Sequence, residues 1–87
     1  MVKREVIVKE KNGLHARPAG IVVKECSQFK STIEIEYKGK KINAKSIMGV
    51  MALGVKENEA ITIMANGEDE ELAVKALVSL VESNFGL

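Results

Sequence analysis

Three short segments in which apolar and polar residues alternate, set among apolar stripes at helical spacing, leave this chain few folds to choose from. Residues 2–9 place Val2, Arg4, Val6 and Val8 on one face and Lys3, Glu5, Ile7 and Lys9 on the other. A period of two marks a strand buried on one side. Asn12-Gly13 breaks that pattern as a turn. From Ala16 to Phe29, the residues Ala19, Val22, Val23, Cys26 and Phe29 recur at helical spacing. Thr32 to Tyr37 alternates again, and Lys38-Gly39 makes a tight turn into a short strand over Lys40 to Asn43.

A short helix over Ile47 to Leu53 follows, with Ser46 as N-cap and Gly54 as its stop. Ala60 to Ala65 alternates through Ile61, Ile63 and Ala65. The last helix is capped by Asp69 and favoured by Glu70 and Glu71 in its first turn. Ala73, Ala76, Leu77, Leu80 and Val81 form its buried face. The order is strand, helix, strand, strand, helix, strand, helix. Strands buried on one side need one covered face, and the two longer helices carry the stripes to cover it. The expected fold is α+β, an antiparallel sheet with its helices on one side.

At 87 residues the chain is expected to form one domain, 1–87, whose thin core leaves chemistry at the surface. Thirteen basic residues against 12 acidic ones leave a net charge of +1. That balance gives no electrostatic footprint for a polyanion. Aromatic residues at 3% supply no platform for stacked bases. Direct nucleic-acid binding is therefore not expected. The single Cys26 excludes an internal disulfide and suits a reducing compartment. No signal-peptide core and no apolar run of about 18 residues is present, so a cytoplasmic address without membrane insertion is expected.

Gly13-Leu14-His15-Ala16-Arg17-Pro18-Ala19 is the most unusual stretch. Pro18 lacks a backbone N–H and belongs in the first turn of a helix. That puts His15 at or beside the N-cap. First-turn N–H groups have no partner within a helix, and with the helix dipole they favour an anion, phosphate above all. Arg17 adds a permanently charged, planar guanidinium suited to phosphoryl oxygens. An imidazole with an ordinary pKa of ~6.5 is largely neutral and nucleophilic at neutral pH. Taken singly, His15 equally suits an idle exposed loop residue, Arg17 a solvated charge, and Gly13 and Pro18 punctuation. One His and one Cys eleven residues apart do not make a familiar metal site, and no cofactor is implied. Cys26 lies on the apolar stripe of its helix and reads as a core thiol.

The motif GLHARPA at residues 13–19 resembles the active-site signature of HPr, the histidine-containing phosphocarrier of the phosphoenolpyruvate-dependent sugar phosphotransferase system. Asn43 to Val55, NAKSIMGVMALGV, resembles the regulatory serine region of the same family, in its Gram-positive form. The resemblance spans essentially the whole chain. It implies an open-faced β-sandwich, a four-stranded antiparallel sheet covered on one face by three helices. It implies a carrier rather than an enzyme. Enzyme I, charged by phosphoenolpyruvate, would phosphorylate His15 on Nδ1, and the group would pass to the A-type domains of sugar permeases. Arg17 would steady the phosphoryl group and Pro18 would shape the helix start.

On residue type alone, Ser46 is an N-cap worth ~1 kcal/mol to its helix. The resemblance makes it also the target of an ATP-dependent serine kinase/phosphorylase, and the serine-phosphorylated form a corepressor for a catabolite-control transcription regulator. Ile47, Met48 and Met51 cannot all face inward if Val50 and Leu53 do, and exposed methionines suit partners of several shapes. The resemblance assigns Ile47, Met48 and Met51 to partner docking, with Leu14 beside them. Gly20 departs from the family, which usually has a small side chain there.

Three rival readings remain beside this one. A module that works through its serine without histidine transfer would have the active histidine replaced, whereas His15 is present with Arg17 and Pro18. A small α+β nucleic-acid-binding domain would need a basic face and aromatics. A relay serving nitrogen regulation would not carry the Asn43–Val55 block of the sugar branch. A carrier that shows one face to many partners is expected to be a monomer.

Overall fold

A computed structural model describes residues 1–87. The sheet contains β1 (Val2–Ile7), β2 (Thr32–Tyr37), β3 (Lys40–Asn43) and β4 (Ala60–Asn66), with α1 (Ala16–Cys26), α2 (Ile47–Ala52) and α3 (Glu70–Glu82) between and after them. The spatial order is β1-β4-β2-β3, and every neighbouring pair is antiparallel. β4 lies between β1 and β2, with Val6 opposite Ile61 and Ile33 opposite Ala65. β1 and β2 therefore run parallel, joined by α1 crossing over the sheet. β3 and β4 are joined in the same way by α2. All three helices cover one face, as the pattern of one-sided strands requires.

The inward residues of the strands are the apolar ones. Val6, Ile33, Ile35, Tyr37, Ile61, Ile63 and Ala65 are buried in a single cluster with Ala19, Val22 and Cys26 of α1 and Ala73, Val74, Leu77 and Val81 of α3. The open face carries Lys3, Glu5, Glu34, Glu36 and Thr62, with Met64 buried among them. Lys38 and Gly39 both take positive φ, 49° and 81°, which makes the β2–β3 connection a tight turn matching the twist of the strands.

Several boundaries differ from the sequence pattern. β1 ends at Ile7 rather than residue 9, although Val8 still donates to Glu59 O and accepts from Asn58 N. Arg4, on the inward register of β1, is exposed near the sheet edge. α1 ends at Cys26 rather than Phe29, because Ser27 turns its hydroxyl back onto Val23 O and Phe29 N bonds Cys26 O. Phe29 still packs on the core, and Val23 is partly buried there. In α3, Val74 is buried while Ala76 and Leu80 are only partly so.

Asp69 occupies the N-cap position of α3 but does not cap it with its side chain. Its carboxylate instead accepts from Lys30 N at 2.8 Å, Ser31 N at 2.9 Å and the Ser31 hydroxyl at 2.5 Å. These bonds, the Ser31 hydroxyl first, hold the Asp69 carboxyl below its ordinary pKa. Glu70 reaches back to Gly67 N at 3.1 Å in its place. The capping side chain is thus spent on fastening the α1–β2 connection to α3.

Candidate functional site

The site begins with a turn. Gly13 N donates to Glu10 O at 2.8 Å, and Leu14 N donates to Val55 O at 3.1 Å. Gly13 takes φ +68°, and a Cβ there would stand 2.0 Å from Val55 O, so only glycine passes. Leu14 is 3% exposed and belongs to the core. This corrects its assignment to partner docking: the hydrogen bond to Val55 turns its side chain beneath the loop, and it anchors the chain one residue before His15.

His15 is the N-cap of α1, with extended backbone angles (φ −78°, ψ −172°) and no capping bond from its ring. Ala19 N bonds His15 O at 3.0 Å, closing the first helical turn. Pro18 has no N–H and is almost wholly buried. The N–H groups of Ala16 and Arg17 have no acceptor within the chain and remain at the free helix end. Arg17 is exposed, and its guanidinium makes no salt bridge. The helix end thus leaves N–H groups and a guanidinium unengaged, the donor set an anion requires.

The ring itself is half-buried and its two nitrogens differ. Nε2 is buried without a hydrogen-bond partner, and its charged neighbour is Glu10 Oε1 at 3.8 Å. Nδ1 is neither buried nor hydrogen-bonded and is the nitrogen open to an incoming group. Glu10 is held in turn by Asn84, whose Nδ2 donates to Oε2 at 3.1 Å across 74 residues of sequence. Neither residue stands out in the sequence pattern. The Asn84-Phe85-Gly86 triplet carries a turn signal, but only the packed chain brings it to His15.

Ser46 is the N-cap of α2, and its hydroxyl accepts from Gly49 N at 3.1 Å. Val50 and Leu53 are buried, while Ile47 is 46%, Met48 81% and Met51 43% exposed. The crowding expected of this short helix is resolved by turning those three outward. α2 packs along α1. Val55, just beyond α2, meets the start of α1 through Leu14, and Lys45, just before α2, donates to Phe29 O at 2.8 Å beyond the end of α1. His15 and Ser46 are therefore the N-caps of two helices that pack together, α1 and α2.

Cys26 is fully buried, and burial pushes its thiol up to about 12, so it is an inert core residue. No three His, Cys, Asp or Glu side chains gather as metal ligands. No helix is long and apolar enough to cross a membrane.

Comparison with known proteins agrees with this geometry. Residues 2–83 match the family model described as the PTS HPr component phosphorylation site. The HPr-like protein Crh of Halalkalibacterium halodurans is 49% identical over 82 residues, covering 94% of this chain and 98% of that protein. The crystal structure of HPr from Thermoanaerobacter tengcongensis superposes with a TM-score of 0.96 at 50% identity, over 100% of this chain and 98% of that one. Crh of Bacillus subtilis, solved as a swapped dimer, has a TM-score of 0.78 at 45% identity, over 97% of each chain. That dimer differs from the monomer expected of this chain.

Proposed function

Because the chain belongs to the HPr family of phosphotransferase-system proteins, whose members are carriers rather than enzymes, we propose that it takes up and hands on a phosphoryl group at Nδ1 of His15. The single observation that carries this reading is the arrangement of an accessible Nδ1 at a helix end whose Ala16 and Arg17 N–H groups are unengaged. The Nδ1 lone pair attacks phosphorus on charged enzyme I. The bond to the enzyme I donor breaks, and its electron pair stays with that donor. The free N–H groups and Arg17 meet the oxygens of the transferred group. The same displacement in the other direction delivers it to an A-type domain of a sugar permease. The whole chain, 1–87, acts as one HPr-like domain in the cytoplasm, as a monomer that shows the α1–α2 face to its partners.

Ser46 is the regulatory site of this proposal. A kinase/phosphorylase adds about 1.5–2 negative charges there, at the start of α2. Because Ser46 caps α2 whereas His15 caps α1, that charge acts on the partners that dock over Ile47, Met48 and Met51. It repels acidic surfaces of enzyme I and the permease domains, and it suits the catabolite-control transcription regulator of carbon catabolite repression.

A second reading is a serine-regulated module without histidine transfer, and the likeness to Crh, whose Bacillus subtilis form is solved as a swapped dimer, favours a dimer for it. One experiment separates the two. The chain is mixed with enzyme I and phosphoenolpyruvate beside a His15→Ala control, and intact mass is read. An acid-labile gain of one phosphoryl group, absent in the control, is expected. No gain with a competent enzyme I leaves the Crh-like reading, in which phosphate is sought on Ser46. Light scattering on the same sample reads the monomer or the dimer.

A further inference from the structure

The histidine presents an unresolved polar atom. Nε2 is buried without a partner, and a buried ring nitrogen that carries a proton needs an acceptor close by. The group in position is the Glu10 carboxylate at 3.8 Å, itself only 12% exposed. Glu10 cannot swing freely toward solvent, because its backbone is fixed by the turn to Gly13 and its other carboxylate oxygen accepts from Asn84. Asn84 is fixed as well. It and Phe85 both take positive φ, 57° and 60°, uncommon for residues other than glycine and rarer still for phenylalanine. The Phe85 ring is 2% exposed in the core, and its burial holds this hook at the end of α3 against Glu10.

We propose that Glu10, held by Asn84, is the positioning residue of the His15 site, keeping the proton on Nε2 so that the Nδ1 lone pair faces the incoming phosphorus. This inference rests on the phosphocarrier reading above and deepens it. A neutral imidazole has one N–H and one lone pair, and an acceptor at one nitrogen decides which is which. When Nδ1 bonds to phosphorus, the ring gains positive charge. The carboxylate at Nε2 stabilises that charge without taking the proton. When the group leaves Nδ1, the electron pair returns to the ring and the original tautomer is restored. A short contraction from 3.8 Å to hydrogen-bond distance completes the contact as the charge develops. The exposed guanidinium of Arg17 and the open helix end remain for the phosphoryl oxygens. The ring thus has a carboxylate near Nε2 that favours its charge and belongs to a helix end whose donors favour the group it carries.

The test uses the whole protein with 15N-labelled histidine, at a pH where the ring is neutral. Two-bond correlations from the ring carbon protons give each nitrogen's state. The wild type is expected to show a protonated Nε2, with an observable Nε2–H signal, and an unprotonated Nδ1. Glu10→Ala is expected to lose that slowly exchanging signal and to drift toward the tautomer mixture of a free imidazole, whereas Glu10→Gln, which keeps an acceptor oxygen without the charge, should keep part of it. Phosphoryl uptake from charged enzyme I should fall about tenfold or more in both, as it does when the partner orienting a ring is removed elsewhere. Asn84→Gly keeps the backbone angle and frees Glu10, and should move both readings partway. Circular dichroism confirms that each variant is folded. A proton found on Nδ1 in the wild type, or a ring spectrum unchanged in folded Glu10→Ala, overturns the proposal. The ring spectrum needs no transfer, so a wild type that accepts no phosphoryl group would sink the carrier reading separately.

Discussion

Gly13 and Val55 pass so closely that a Cβ on the glycine would lie 2.0 Å from the Val55 carbonyl oxygen. The same carbonyl accepts from Leu14 N, so the contact cannot open without releasing the residue that anchors the His15 loop. Gly13→Ala adds this backbone collision to an unfavourable φ of +68°. It should cost more than about 1 kcal/mol of stability and slow phosphoryl uptake. Urea unfolding checks the first effect, and an unmoved midpoint would show that the loop gives way freely.

Gly20 behaves oppositely. It lies within α1 with nothing within 4 Å of where a Cβ would stand. Gly20→Ala should stabilise the fold by about 0.5–1 kcal/mol through helix propensity and a less flexible unfolded chain. The melting temperature should rise by several degrees. Unchanged uptake from enzyme I would mean the space serves no partner, whereas slower uptake would assign it to one.

Glu59 ties the segment before β4 to the hairpin of β2 and β3. Its carboxylate accepts from the Tyr37 hydroxyl and from Lys56 N at 2.9 Å, and pairs with Lys38 at 3.2 Å. These partners, the Tyr37 hydroxyl first, hold it at about 2 against an ordinary 4.5. A depressed carboxyl stabilises the fold above its unfolded pKa, and that contribution disappears as pH falls through the folded value. The loss therefore runs between about pH 4.5 and pH 2. In Glu59→Gln, acid unfolding should lose its component in that window and stability near neutral pH should be lower. Equal wild-type and variant curves across the window would contradict it.

Met48 is 81% exposed on a helix whose inward residues are Val50 and the capping Leu53. Met48→Lys should leave the circular-dichroism spectrum intact and weaken binding of enzyme I or the transcription regulator by about tenfold. A lost fold would place Met48 in the core.

Ser46→Asp puts a charge at the same helix end as a phosphate would. Uptake at His15 should slow although the two residues cap different helices. Uptake as fast as wild type would falsify the repulsion mechanism. Ser46→Ala should cost about 1 kcal/mol through the lost bond to Gly49 N, measured by urea unfolding.

The α+β architecture was legible because each strand hides one face, and a period of two reports that directly. Ile33, Ile35 and Tyr37 are inward as their alternation requires, and the Lys38-Gly39 turn lies where both residues take positive φ. His15 at the start of α1 was legible from Pro18, and Ser46 from its place before an apolar run. Leu14 was misread because beside a motif histidine nothing in the residue type tells an anchor from a docking surface. Asp69 was misread as a side-chain cap because an N-cap preference says nothing of a competing donor from 38 residues away.

By itself, then, the amino-acid sequence determined the elements, the sheet they must form and the helix end that holds His15, since these depend on contacts only a few residues apart. The tertiary structure alone decided which imidazole nitrogen faces outward, because Glu10 and the Asn84 that holds it are brought to that ring from the two ends of the chain. It also decided that the helix capped by Ser46 lies against the one capped by His15, because only packing brings α2 onto α1. Local propensity has no term for either relationship; both follow from how the covered face of the sheet is filled.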